Sequence, residues 1–351
     1  MQRRLNGSLT AVALVGMVLA AAGAPAAGAA EAPATPFQSQ PDLLKMPDDL
    51  YLGEVAGVAA NSKGHLFVFT RTGHQFLTVG GSRGFVHGGS RLFEFDAQGS
   101  YVREIGHEIY GFMSAHSVRV DREDNIWTVD EGSNVVIKFS PEGAVLMTLG
   151  RKPEAVNVPA KPAAASGPGL GIAGDTFGSP KDVGFDAAGD IFVADGGSNA
   201  RVVEFDKDGN YLRAWGGRGS AAGQFSDPHT LAVGPDGNVY VGDRGNARIQ
   251  VFDTQGRFKA EIRGVGEPAA ICIGPGAQPR LFSSNSNGPA DFDHGEIYEL
   301  SLDGRILGRF GAAGHRLGQF GSVHQMDCGQ PRTLYVAEIT NWRVQKLTLG
   351  Q

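Results

Sequence analysis

The run Gly223-Gln224-Phe225-Ser226-Asp227-Pro228-His229-Thr230-Leu231 leads into Gly237-Asn238-Val239-Tyr240-Val241-Gly242-Asp243 and then into Asn246-Ala247-Arg248-Ile249-Gln250-Val251-Phe252-Asp253. Each piece is a short apolar stretch, and a Pro235-Asp236-Gly237 turn separates the first two. That is the pattern of consecutive antiparallel strands. The frame also occurs upstream as Ser179-Pro180-Lys181-Asp182-Val183-Gly184-Phe185-Asp186, Gly189-Asp190-Ile191-Phe192-Val193-Ala194-Asp195 and Arg201-Val202-Val203-Glu204-Phe205-Asp206. Further copies begin near Val55, Ala115, Pro268 and Val323, which makes six. Four strands in roughly 40 residues form one propeller blade, and six blades close a ring. The sequence therefore predicts an all-β, six-bladed β-propeller. The last copy, 322–349, is short by one strand. An N-terminal strand is expected to close the ring, and Leu50-Tyr51-Leu52 is the expected donor.

The remaining features agree with a packed, exported ring. The chain has 351 residues, of which 52 are glycine. That is about twice the ordinary share, and turns recurring several times per blade account for it. Residues 1–29 read as a signal peptide: Arg3 and Arg4 precede an apolar run from Leu9 to Ala20, and Ala27-Gly28-Ala29 offers a cleavage site. The run is too short to span a bilayer. Residues 30–47, rich in Ala and Pro, read as a flexible leader, and 48–350 as the propeller. A secreted or periplasmic protein is expected, with no membrane span. The net charge of −6 argues against nucleic acid as partner, and a closed ring argues for a monomer. Cys272 and Cys328 are the two cysteines, and the sequence leaves open whether they pair or are buried separately as thiols.

Two columns of the repeat carry chemistry. At the start of the innermost strands the blades read Ala56, His116, Lys181, His229, Ala269 and His324. Blades 2, 4 and 6 thus direct three imidazoles at the axis, about 120° apart in a six-fold ring. Three neutral nitrogens with an open fourth position are the donor set of catalytic Zn2+. The second column, at the end of the next strand, reads Arg71, Glu131, Gly196, Arg244, Ser286 and Ile339. Arg71 and Arg244 lie in opposite blades, where two guanidinium groups above a metal would hold a carboxylate. Asp130, Asp195 and Asp243 recur at one strand end and read as framework, with Arg201 and Arg248 as braces.

Gly223-Gln224-Phe225, Pro228, the Gly237–Asp243 strand, Asn246-x-Arg248-Ile249-x-Val251-Phe252 and Gly256 resemble the NHL repeat. The columns resemble one NHL-type enzyme family, the peptidyl-α-hydroxyglycine α-amidating lyases. Those enzymes release glyoxylate from a hydroxyglycine-extended peptide. The likeness runs through Phe67-Val68-Phe69-Thr70-Arg71, Ala115-His116-Ser117-Val118, Asp195–Phe205, Gly223–Leu231 and Asp243–Phe252. It implies zinc on His116, His229 and His324, catalytic roles for Arg71 and Arg244, and a structural Ca2+ at positions matching Val58, Val118 and Gln325. Two departures stand out. The family's catalytic tyrosine position is Gly197, and its calcium-binding Asp is Gln325, a neutral and weaker ligand. Tyr110, His74 and His87 sit in loops that could reach the funnel.

The reading that follows is a zinc-dependent lyase on a small carboxylate-bearing or peptide-like substrate. A non-catalytic NHL propeller that binds a protein or cell-envelope ligand is the alternative. A calcium-dependent lactonase-type propeller ranks last, because imidazoles are poor calcium ligands.

Overall fold

The computed structural model describes residues 32–72, 77–79, 83–85, 89–151, 176–286 and 294–350. It contains six four-stranded antiparallel sheets arranged as a six-bladed propeller. From the axis outward, blade 1 is built from Glu54–Ala60, Leu66–Arg71, Ser90–Phe95 and Tyr101–Ile105. Blade 2 comprises Ala115–Val120, Ile126–Asp130, Val135–Phe139 and Val145–Gly150. Blade 3 follows with Pro180–Phe185, Ile191–Asp195, Arg201–Phe205 and Tyr211–Gly216. In blade 4 the strands are Pro228–Val233, Asn238–Asp243, Arg248–Asp253 and Phe258–Ile262. Blade 5 uses Ile271–Ile273, Arg280–Ser284, Ile297–Ser301 and Ile306–Phe310. Blade 6 has Val323–Asp327, Thr333–Glu338 and Arg343–Leu349, completed from the N-terminal side.

Side-chain alternation explains why the second strands are buried along nearly their whole length. Phe67 and Phe69 pack toward blade 2, whereas Leu66 and Val68 pack toward blade 6. Likewise Ile191 and Val193 join the core with blade 2, and Phe192 and Ala194 the core with blade 4. Both faces of each blade are therefore buried, and the period-2 pattern sorts side chains between two neighbours. Each blade–blade seam holds its own apolar cluster. Every fully buried Phe, Leu or Val in a seam contributes roughly 1.5–3 kcal/mol.

The strand that closes the ring is Phe37–Gln40, not Leu50-Tyr51-Leu52. Phe37 pairs with Leu349 and Gln40 with Lys346. The Phe37 ring packs 5.3 Å from that of Phe310, and the Ser39 hydroxyl donates to Gln345 Oε1 at 2.7 Å. Tyr51 is instead largely exposed and lies outside any strand. Within the expected leader 30–47, residues 37–40 thus form an outer strand, which needs only one covered side, here that of Phe37 and Ser39. Cys272 and Cys328 form a disulfide, with Cα atoms 6.0 Å apart, that ties the inner strands of blades 5 and 6.

The repeated acids are framework. Asp243 accepts from Ser226 N, Asn246 Nδ2 and Arg248 Nε, and Asp195 accepts from Gly178 N, Asn199 Nδ2 and Arg201 Nε. Glu338 repeats the arrangement with Asn341 and Arg343. The residue between Asn and Arg adopts positive φ in each copy: Ala200 (50°), Ala247 (49°) and Trp342 (52°). The export signal expected at 1–29 lies outside the described residues. Among those described, no helix is long and apolar enough to cross a membrane.

Candidate metal centre

A β-bulge sets five of the six positions of the first column, Ala269 being the exception. Ala115 pairs with Asp130 and Ser117 with Val129, so His116 is passed over by the ladder. His229 is skipped between Pro228 and Thr230, and His324 between Val323 and Gln325. Ala56 and Lys181 are skipped in the same way. A bulge turns its extra residue out of the alternation and re-aims the side chain. Here it sends three imidazoles to one point. Their ligand atoms lie within 4.8 Å of one another, and the ring centroids are 4.4, 4.7 and 5.1 Å apart. All three residues are buried.

Hydrogen bonds fix the nitrogens. His229 Nδ1 lies 2.7 Å from the Ala269 carbonyl and His324 Nδ1 2.8 Å from that of Ala56. A carbonyl only accepts, so each Nδ1 carries the proton and each neutral ring keeps its lone pair on Nε2. His116 Nδ1 is buried with no hydrogen-bond partner. Burial first, then the neighbouring positive charges, hold His116 and His229 well below the ordinary imidazole value; Lys181 acts on both, and Arg244 on His229. His324 is pushed down to about 3 by burial and Arg71. Three neutral imidazoles, two with oriented tautomers and one with an orphaned nitrogen, fit a metal ion of the nitrogen-preferring kind.

Next to the histidines, polar side chains bond the inner strands to one another. Gln325 Oε1 accepts from Val58 N and Val118 N, both at 3.0 Å, while its Nε2 donates to Val118 O at 2.6 Å. Arg119 donates to both oxygens of Asp182 at 3.0 and 2.6 Å, to Met326 O at 3.0 Å and to Ile271 O at 3.3 Å. Asp182 in turn accepts from Thr230 Oγ1 and Leu231 N. Five of the six blades meet in Arg119, Asp182 and Gln325 or their partners through the inner strands of blades 1, 2, 3, 4 and 6, and the Ile271 carbonyl adds blade 5. Hydrogen bonds of three side chains thus join the inner strands of all six blades next to the histidines.

The Ca2+ expected at Val58, Val118 and Gln325 does not fit this arrangement. The amide of Gln325 spends its oxygen on two N–H groups and its nitrogen on the Val118 carbonyl that would have been a ligand. No carboxylate takes part, and calcium sites depend on charged oxygen donors.

Above the histidines stand the charges of the second column. Arg71 donates from Nε to Ala115 O at 2.7 Å and from Nη2 to Glu131 Oε1 at 2.9 Å. Arg244 pairs with Asp227 through Nε at 2.8 Å and Nη2 at 2.7 Å. The charges of both arginines reach His324. Two further groups were not singled out in the sequence although they stand in the same columns. Lys181 Nζ pairs with Glu131 Oε2, so Glu131 bridges Lys181 and Arg71. Burial alone would raise the Glu131 carboxyl, yet Lys181 and Arg71 outweigh it and hold it below the ordinary value. Column position was the signal that could have found both.

Gly197 adopts φ +52°, and a Cβ there would lie 2.8 Å from Ser179 Cβ and 2.9 Å from Gly178 O. The backbone thus leaves no room for the tyrosine of the resembling family. Beside it, a Cβ on Gly196 would fall 2.9 Å from Lys181 Cγ, so Gly196 makes the space that Lys181 fills. Tyr110 is largely exposed at the blade 1–2 connection, and His74 and His87 lie outside the described residues.

Comparison with known proteins agrees with the repeat and the ring. The NHL repeat family model matches residues 225–252. A peptidyl-glycine alpha-amidating monooxygenase of Mus musculus is 28% identical over 85% of this chain and 30% of its own length. Peptidyl-alpha-hydroxyglycine alpha-amidating lyase 1 of Drosophila melanogaster is 28% identical over 67% of this chain and 44% of its own. The chain spans a third or less of the length of the amidating monooxygenases it matches. Virginiamycin B lyase from Staphylococcus aureus superposes with a TM-score of 0.55 at 14% identity, covering 90% of this chain and all of that one, which is a likeness of fold. The chain therefore carries an NHL repeat at residues 225–252, folds as a six-bladed propeller and is similar to the amidating lyases.

Proposed function

We propose that this protein is an exported, zinc-dependent lyase that cleaves the C–N bond of a carbinolamide, an α-hydroxyglycine at the end of a peptide-like substrate, to release glyoxylate. The observation that carries the reading is the axial trio of buried, neutral imidazoles beneath paired cations. The relatives named as amidating lyases support it, and the signal-like segment 1–29 supports export.

In this reading His116, His229 and His324 hold the ion through Nε2, while the Ala269 and Ala56 carbonyls keep two of the rings in the required tautomer. The bound ion supplies Lewis acidity toward the substrate hydroxyl and offsets its developing negative charge. The balance of the reaction is simple. The hydroxyl gives up its proton, its electron pair forms the aldehyde C=O, the C–N bond breaks, and the amide nitrogen takes a proton. Arg71, held by Ala115 O, and Arg244, held by Asp227, place positive charge around the ion from opposite blades. A side chain at 197 takes no part in proton transfer.

The test is glyoxylate release from an α-hydroxyglycine-terminated peptide by the purified mature protein. Release that is lost in His229→Ala supports the lyase. No release above the uncatalysed rate, from protein carrying its metal, would leave the propeller as a binding scaffold.

A further inference from the structure

The three cations around the histidines are not equivalent. Arg244 spends two N–H groups on Asp227 within its own blade. Arg71 in blade 1 and Lys181 in blade 3 instead share one carboxylate, Glu131 of blade 2, each taking a different oxygen. Arg71 is anchored independently of that carboxylate, because its Nε donates to the Ala115 carbonyl. Lys181 is positioned independently as well: it occupies the same bulge as the histidines, and Gly196 opens the space beside its stem. Two pre-set cations bridged by a single carboxylate form a seat for a carboxylate. The Glu131 side chain is only partly covered, about 23% exposed, so it has room to leave.

We propose that Arg71 and Lys181 are the seat for the substrate's carboxylate, that Lys181 is its specificity-determining cation, and that Glu131 occupies the seat in the free protein until substrate displaces it. This rests on the lyase reading for the substrate class, and it adds what that reading lacks. The exchange trades one carboxylate for another on the same two cations, Glu131 giving up besides only the long contacts from the Ser114 and Ser179 hydroxyls at 3.4 and 3.5 Å, so selectivity falls on anionic ligands. A neutral ligand has nothing to offer in return for displacing Glu131. No bond is made or broken in the exchange.

The test is calorimetric binding of N-benzoylglycine, a carboxylate probe that lacks the hydroxyl and cannot turn over, with its carboxamide as the uncharged control. The protein is used as purified, with metal content and circular dichroism checked for each variant. Glu131→Gln removes the competing charge and is expected to bind the carboxylate about tenfold more tightly. Lys181→Met is expected to bind it at least tenfold more weakly, while Lys181→Arg, which keeps the charge, retains most of the affinity. The carboxamide should bind weakly and alike in all four proteins. If Glu131 merely braces the two cations, Glu131→Gln binds the carboxylate more weakly or unchanged, and the proposal is overturned. Equal binding by Lys181→Met overturns it too. Because the probe is inert, this pattern can hold in a protein that releases no glyoxylate, in which case the lyase reading alone fails.

Discussion

Replacing Arg119 with methionine tests whether the hydrogen-bonded layer next to the histidines is an energetic lock. Arg119 is mostly buried, its side chain 13% exposed, and it delivers four hydrogen bonds, two of them to Asp182. Methionine fills much of the same volume and leaves the buried Asp182 carboxylate without its cation. Breaking a buried ion pair from one side costs about 3–5 kcal/mol, against a total stability on the order of 5–15 kcal/mol. We expect a loss of about 4 kcal/mol in urea unfolding at pH 7. Asp182→Asn should also destabilise, because Arg119 then keeps only carbonyl partners. The double variant should recover about 2 kcal/mol relative to the sum of the two, which is the signature of a coupled pair. A loss under about 1 kcal/mol in Arg119→Met, or strict additivity in the cycle, would refute the argument that this pair locks the inner strands.

Three further outcomes follow from the geometry. Glu204 is buried on blade 3, and desolvation pushes its carboxyl up from 4.5 to about 7, with Arg213 Nε 3.3 Å away working against it. The folded state therefore holds a proton that the unfolded chain gives up, and stability present below pH 4.5 is lost as pH rises through 7. Glu204→Gln should gain on the parent by about 1–2 kcal/mol between pH 5 and pH 8, measured by urea unfolding; no change in the difference would contradict the burial argument. Gly197→Tyr should destabilise by about 1–3 kcal/mol and leave glyoxylate release no faster, because φ +52° and the Ser179 contact oppose any side chain. In metal-stripped protein the imidazole values lie below that of unfolded histidine, so the stability they confer is complete above about pH 6.5 and declines as pH falls toward 3. A thermal melt of stripped protein that is flat from pH 7 to pH 4.5 would count against buried neutral rings.

The ring itself was legible because a repeat announces itself six times. The axial column was legible for the same reason: His116, His229 and His324 fall at one repeat position, and the bulge there brings them together. What escaped was whatever occurs once. Phe37-Gln38-Ser39-Gln40 closes blade 6 as an edge strand with one half-buried face, and so carries no strong apolar signal. Lys181 and Glu131 share the functional columns, but each breaks the residue type of its column, and only the side-chain positions reveal their pairing. Gln325 stands where the resembling lyases have an aspartate, with an amide one methylene further out, and that amide satisfies Val58 and Val118 by hydrogen bonds. The cysteine pairing depended on the reach between inner strands of neighbouring blades, which repeat spacing does not convey.

The most direct test of the account is elemental metal analysis of the purified mature protein, never exposed to chelator, beside the variant carrying His116→Ala, His229→Ala and His324→Ala together. The account predicts about one zinc per chain in the parent and none in the variant. Parent protein without any transition metal, or zinc retained in full by the variant, would contradict it.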